Sequence, residues 1–270
     1  MIVGIFFGTA IGVVLGLTGA GGGILAVPAL VLGLGFSMTE ATPVALMAVG
    51  CAAMLGAIDG LRKGLVRYKA ALLMAALGAL FSPLGVRIAH QVSERWLMTL
   101  FSAVMLIVAW RMANQANSHQ QPNASPEYLE KNCMLNPATG KLRWNLKCCT
   151  TLATIGTVSG MFTGMLGVGG GFLIVPACRQ FSNVSMHGIV ATSLMVIALI
   201  SGSAVAGALL HGVRIPLIGW TFIGAALIGM LLGRLAAPTL PARILQIGFA
   251  SIATVVALIL IGKTYFNGML

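Results

Sequence analysis

The chain reads as an all-α polytopic membrane protein made of two homologous four-helix repeats, each opening with a glycine-broken helix. Three observations predict this. Of its 270 residues 58% are hydrophobic and 8% charged, where soluble domains carry roughly 25% charged residues. Apolar runs of about 20 residues, long enough to cross a hydrocarbon core, recur along most of the chain. Finally, the segment GTAIGVVLGLTGAGGGILAVPA (Gly8–Ala29) returns ungapped as GTVSGMFTGMLGVGGGFLIVPA (Gly156–Ala177), an offset of 148 residues.

The same offset pairs Ser37-Met38 with Ser185-Met186, Gly64 with Gly212, Gly85 with Gly233, Arg95 with Arg243 and Phe101 with Phe249. Matching interruptions in duplicated apolar segments are a sequence pointer to a transporter's binding site. A β-barrel would instead show alternating strands of about 10 residues, which are not visible.

The first repeat is assigned to residues 1–113. It has a broken segment from about Ile2 to Gly35, then spans near Glu40–Ile58, Tyr68–His90 and Trp96–Met112. The N-terminal run MIVGIFFGTAIG lacks a basic leader region and enters the repeat directly, so it is read as part of the fold and not as a cleaved signal. Wound as one helix, Ile2–Gly35 would be about 50 Å long, well beyond a core of about 30 Å. The segment therefore tilts and kinks strongly, or turns at Gly21–Gly23 into a re-entrant hairpin; a turn near mid-membrane is the favoured expectation. Residues 114–146 form a polar connecting loop with Pro122, Pro126 and Pro137, to which no chemistry is assigned, His119 and Glu127 included. The second repeat, 147–270, has a broken segment near Cys149–Phe181 and spans near His187–Leu210, Ile215–Ala237 and Arg243–Ile261.

The net charge of +11 comes from Lys and Arg scattered singly or in small loop clusters, without a basic stripe interleaved with aromatics. Nucleic acid is thereby set aside, and loop charge under the positive-inside rule places the connecting loop in the cytoplasm. Parallel copies would leave roughly eleven Lys/Arg inside and five outside, inverted copies roughly twelve and four. That difference does not decide between them; inverted copies are expected by analogy with broken-helix transporters. The five cysteines show no metal-ligand spacing, so neither a disulfide framework nor a zinc site is expected.

Three successive glycines expose backbone amides that lack an intrahelical partner, tolerated in a membrane only where protein buries them or a wet cavity receives them. The residues after them start new apolar stretches, so the amides near Gly21, Gly22, Gly23 and Ile24, and near Gly169, Gly170, Gly171 and Phe172, are expected at helix N-termini. Orphan donors and the helix dipole favour an anion there. Gly8-Gly12-Gly16 and Gly156-Gly160-Gly164 fit close helix packing instead. No Lys-Ser or Lys-Thr follows either triplet, which weakens a phosphate-loop reading. Thr42, Thr192, Ser193 and Ser201 are candidate hydroxyl donors to the anion, although Thr192 and Ser193 could equally bond their own helix carbonyls. Arg87 and Arg234 read as snorkelling to the interface or as a central cation, and His187 and His211 as interfacial or as proton relays. No serine-protease elbow, aspartate pair or HExxH supports catalysis, no nucleotide motif supports ATP drive, and no cofactor or metal is expected.

Gly19-Ala20-Gly21-Gly22-Gly23 through Pro28, repeated as Gly167-Val168-Gly169-Gly170-Gly171 through Pro176, resembles the paired motif of the TauE/SafE family of sulfite and organosulfonate exporters. Ala191-Thr192-Ser193, His211-Gly212 and Leu240–Leu245 are similar to that family as well. The resemblance implies a multi-pass inner-membrane carrier, without a cofactor, for a small sulfur-containing or organic anion such as sulfite, thiosulfate or sulfoacetate. Export driven by a proton or membrane gradient is the implied mode, with the lipid bilayer as surroundings and a homodimer left open. Pro43 departs from the pattern, standing where the Ala-Thr alignment gives the second copy Ser193.

Overall fold

The computed structural model describes residues 2–18, 22–118, 133–134, 144–210, 212, 215–236 and 242–266. Among these it is helical throughout, and seven helices are long and apolar enough to cross a membrane. Each half contributes five helical pieces. The first half has α1 (Ile2–Thr18), a short return segment over Gly22–Gly33, α3 (Met38–Arg62), α4 (Tyr68–Gln91) and α5 (Glu94–Ser118). The second has α6 (Leu146–Leu166), α7 (Gly171–Phe181), α8 (Met186–Leu210), α9 (Leu217–Ala236) and α10 (Ala242–Phe266). The return segment of the first half changes winding along its length, from a 3-10 turn at Gly22–Leu25 through the single turn α2 (Ala26–Pro28) to a π-turn at Ala29–Gly33.

The duplicated sequence sets the helix boundaries. Ser37 accepts from the Glu40 amide while Glu40 accepts from the Ser37 amide, a capping box that starts α3. Ser185, 148 residues on, accepts from the Gly188 amide at the start of α8. The repeated Ser-Met pair is thus a repeated helix start. Glu94, at the start of α5, accepts from the Met38 amide at 3.0 Å and ties two helix N-termini together.

Both broken segments fold back as helical hairpins. A Cβ added at Gly33 would strike the ring of Phe7, so the first return segment ends beside the early turns of α1. In the second half Cys148, at the start of α6, is disulfide-bonded to Cys133, which pairs through its backbone with Ser182 just after α7. This bond corrects the expectation that the cysteines form no disulfide framework: Cys133 and Cys148 are 15 residues apart, and the backbone pairing of Cys133 beside Ser182 holds it at the start of α6 where spacing carried no signal.

The principal helix pairs join one half to the other: α1 with α9, α6 with α4, α3 with α8, α5 with α10. Small residues make the first two pairs possible. Gly8, Gly12 and Gly16 lie against the backbone at Phe222, Ala226 and Met230; Gly156, Gly160 and Gly164 lie against Met74, Gly78 and Ser82, the same positions 148 residues earlier. In lipid, where apolar surface alone does not drive helices together, such backbone approach supplies dispersion contacts instead. The packing role expected for these six glycines is observed. The long central helices α3 and α8 run antiparallel, with Gly60 against Ala191, Gly56 against Leu194 and Gly50 against Ser201.

Leucines such as Leu72, Leu80, Leu231 and Leu235 face outward, as lipid contact requires. On α5 the exposed Trp96 and Trp110 lie about 21 Å apart along the axis, a spacing suited to two interfacial belts. Arg234 donates to Asp59 at 2.8 Å and to the Leu55 carbonyl, clamping α9 to α3 near the Arg62–Lys63 end. It is a helix-to-helix clamp at that end, away from the glycine breaks. Arg87 and His187 are exposed.

Candidate functional site

The two breaks meet at mid-length of α3 and α8. A Cβ built on Gly23 would lie 2.9 Å from the Val168 carbonyl and 3.0 Å from Val49. One built on Gly169 would lie 2.9 Å from Ile197, 3.2 Å from Val49 and 3.4 Å from Ser201 Oγ. Val49 and Ile197 occupy matching positions of the two halves, so the breaks converge where the two central helices cross. Both residues are almost fully buried and pack directly over the breaks, which are closed in this conformation.

Glycine is required at the second break for two reasons. Gly167, Gly169 and Gly170 have φ of 73°, 77° and 68°, the left-handed region that L side chains rarely adopt. Their surroundings also leave little room: a Cβ at Gly170 would meet Thr163 Oγ1 at 2.8 Å and the Ser159 carbonyl at 2.9 Å. Gly170 is the N-cap of α7, and the Leu173 and Ile174 amides both return to its carbonyl. The Gly171 and Phe172 amides are left as donors for whatever lies beyond the helix start. Pro176 comes in the second turn of α7, where it removes the bond to the Phe172 carbonyl.

The first break has the same glycines and another geometry. Gly22, Gly23 and Ile24 are buried in the 3-10 turn, and a Cβ on Gly22 would run into the Leu15 and Val14 backbone of α1. Gly21, with Gly19 and Ala20, falls outside the described residues, as do His211 and most of the connecting loop.

The expected hydroxyl donors divide. Ser201 sits at the second break, fully buried, with no hydrogen-bond partner for its Oγ. Thr42 packs against Gly167 while its Oγ1 donates to the Met38 carbonyl at 2.8 Å. Thr192 and Ser193 lie about 13 Å and 12 Å from Ser201 along α8. Thr192 donates to the Gly188 carbonyl and accepts from the Arg67 amide; Ser193 donates to the Val190 carbonyl. Thr192 lines a separate cavity of about 30 Å³ with Arg67, Met74, Leu152, Cys178 and Ser182, at the Arg62–Lys63 end of the bundle.

Ser159 was not among the expected donors. It is fully buried on α6, abuts Gly170, and its Oγ has no partner. Its signal lay in the difference between the copies: Ser159, Thr163 and Ser201 stand opposite Ile11, Leu15 and Ala53 at the 148-residue offset. Among the described residues no group of His, Cys, Asp and Glu is arranged to hold a metal ion.

Comparison with known proteins agrees with this architecture. A "Probable membrane transporter protein" of Xylella fastidiosa strain Temecula1 is 29% identical over 278 residues, covering 98% of this chain and 96% of the relative. Its counterpart in strain 9a5c is 28% identical over 272 residues, with the same coverage. A membrane transporter protein of the same description, MamO of Paramagnetospirillum magneticum, is 32% identical over 116 residues, 39% of this chain and 18% of the relative. No solved structure matches significantly. The family described as Sulfite exporter TauE/SafE matches residues 4–260, nearly the whole chain. This multi-pass membrane protein, with its paired glycine breaks, therefore belongs to the TauE/SafE sulfite exporter family of membrane transporters.

Proposed function

We propose that the chain is a secondary transporter exporting a small anion, sulfite or a C2 organosulfonate such as sulfoacetate, by alternating access around its two glycine breaks. One observation carries the reading: the breaks converge at mid-length of the two central helices, where the free N-terminus of α7 faces a buried, unpartnered serine. Helix-start amides recognise an oxyanion through fixed dipoles. Discontinuous helices meeting between two repeats are the usual place for a substrate in such carriers.

The two halves are read as inverted copies, 1–113 and 147–270, which the antiparallel contact of α3 with α8 supports. The surroundings are the inner membrane, with the basic end, and hence the 114–146 loop, in the cytoplasm; Arg62, Lys63, Arg67 and Lys147 support that orientation. A reducing cytosol would hold Cys133 and Cys148 as thiols, and isolation would oxidise them. Alkylating intact cells before lysis tests this: a pair found already bonded would put the basic end outside. Assembly as a homodimer is part of the same reading, tested by mass in detergent.

The direct test is a thermal-shift panel on purified protein, followed by flux in proteoliposomes. A ligand at a hundred times its dissociation constant stabilises the folded state by about 2.7 kcal/mol. Stabilisation by sulfite or sulfonates, with uphill flux under an imposed gradient, is expected. Flux only down the substrate gradient would make the protein a passive anion channel, and a response confined to carboxylates a carboxylate carrier. No anion binding and no flux would end the reading.

A further inference from the structure

Lys and Arg gather at one end of the bundle, where most of them are solvated. Arg62, Lys63, Lys69 and Lys147 are exposed, with Lys63 on Asp59 at 3.0 Å. Arg67 is of another kind: it is half-buried, and its Nε is shut away from solvent without an acceptor. The carboxylates among the described residues are engaged elsewhere. Glu40 is taken up by Ser37, Glu94 by the Met38 amide, and Asp59 by Lys63 and Arg234. A buried donor left unmet is costly, so this one asks for an acceptor that arrives from outside.

The backbone explains where Arg67 stands. Gly64, at φ 65°, turns the chain out of α3, and Arg67 is the N-cap residue of α4, where its side chain caps nothing. Its amide donates to Thr192 Oγ1 at 3.0 Å, and Thr192 in turn donates to the Gly188 carbonyl. Thr192 thus positions Arg67 and keeps no proton for a ligand. Both line the cavity of about 30 Å³, whose other walls include Met74 on α4, Leu152 on α6, Cys178 on α7 and Ile189 on α8. Between apolar walls the charge of a guanidinium is weakly screened, and its field attracts anions. At about 10–15 Å³ for each water-sized group, the space takes two, the pair of oxygens that an oxyanion turns edge-on to a guanidinium.

Two of these walls lead to the glycine breaks. Cys178 is seven residues from Gly171, about 10 Å along α7, and Thr192 is about 13 Å from Ser201 along α8. The matching positions of the other half are apolar: Ile215, Val44 and Leu30 stand opposite Arg67, Thr192 and Cys178 at the 148-residue offset, and they pack into the core.

We propose that Arg67 is the capture point of an anteroom at the basic end, a second anion site where an oxyanion is held before it moves along α7 and α8 to the breaks. The proposal rests on the transport reading above and gives that carrier a loading side. With the basic end in the cytoplasm, this is the side from which an exporter takes its substrate. Singly and doubly charged oxyanions are served alike, since sulfite and sulfoacetate each offer an edge of two oxygens to one guanidinium.

The test measures sulfite flux by the full chain in phosphatidylcholine vesicles, comparing the unaltered protein with Arg67→Gln, Arg67→Lys and Lys69→Gln. Lys69→Gln makes the same change of charge two residues away, at an exposed position. Arg67→Gln should raise KM about tenfold and leave kcat near the parent value, because the anteroom loads the site at the breaks without forming it. Arg67→Lys keeps the charge and loses the planar fork, so its KM should fall between the two. Lys69→Gln should shift KM by less than about twofold. Without substrate, Arg67→Gln should melt as the parent does, since the Arg67 side chain has no hydrogen bond or ion pair among the described residues. An unchanged KM in Arg67→Gln, an equal rise in Lys69→Gln, a fall in kcat alone, or a loss of flux that tracks a lowered melting temperature overturns the proposal and leaves the transport reading standing. A defect that appears only when phosphatidylglycerol is added assigns Arg67 to lipid phosphate and overturns it as well. An unaltered protein that carries no oxyanion removes both.

Discussion

The two halves share one glycine pattern and put it to different use. In the first, the break enters a 3-10 turn pressed onto the α1 backbone at Leu15, and the positions matching Ser159, Thr163 and Ser201 hold Ile11, Leu15 and Ala53. In the second, the break takes three left-handed glycines and launches an eleven-residue α-helix beside Ser159, Thr163 and Ser201. Glycines decide where a membrane helix can stop. The residues around them decide whether the exposed amides face oil or hydroxyls. Duplication preserved the first property and divergence separated the second.

The largest effects should fall on what the halves share. Gly12→Leu and Gly160→Leu each drive a side chain into a neighbouring backbone, at Ala226 and Gly78. Both should cost at least about 3 kcal/mol and remove the monodisperse peak on size exclusion. If one were tolerated while the other collapsed the fold, the equivalence of the α1–α9 and α4–α6 pairs would be wrong. The disulfide comes next and has no counterpart in the first half. Closing a loop of 15 residues restricts the unfolded chain by about 3 kcal/mol. Reducing the oxidised protein, or Cys148→Ser, should therefore speed hydrogen exchange in α6 and α7 while leaving α1 and Gly22–Gly33 as they were. Equal protection with and without the bond would remove its stabilising role.

Smaller effects sharpen the comparison at the breaks. Gly35 has φ of 72° with nothing within 4 Å of an added Cβ, so Gly35→Ala reports backbone strain alone, about 1 kcal/mol. Gly170→Ala should lose visibly more stability than Gly35→Ala, since it adds crowding by Thr163 and Ser159 to the same strain. A melting temperature equal to that of Gly35→Ala would mean the second break has room to spare. The smallest change is expected for Asp59→Asn, which opens the α3–α9 clamp. The pair is partly exposed, so the loss should be about 0.2–1 kcal/mol and shrink in high salt. A salt-independent loss above that range would mark the clamp as buried in the membrane-embedded protein.

Much of this fold was legible because membrane segments obey simple rules. Helix number and length follow from hydropathy, and the observed helices lie within a few residues of the expected spans, with α3 at Met38–Arg62 against Glu40–Ile58. The role of Gly8-Gly12-Gly16 was legible too, because a small residue every fourth position marks one face of a helix. The disulfide was not, since spacing along a polar loop says nothing of distance in space. Nor was the position of Ser201 relative to Thr192. Both were hydroxyls on one apolar helix, and only the placement of Gly169 brought one to the break and left the other against Arg67.

The sequence by itself determined that the chain lives in a membrane, that it is duplicated at an offset of 148 residues, and where its helices break. Those properties are local: hydropathy, periodicity and the tolerance of glycine act within one segment. The tertiary structure decided which segments touch. It paired α1 with α9 and α6 with α4, so that each sequence repeat packs chiefly against the other and not against itself. The physical reason is that lipid is as apolar as the helices, so hydrophobicity sets no partner. Partners are chosen by where small residues let two backbones approach, a property that no single helix contains.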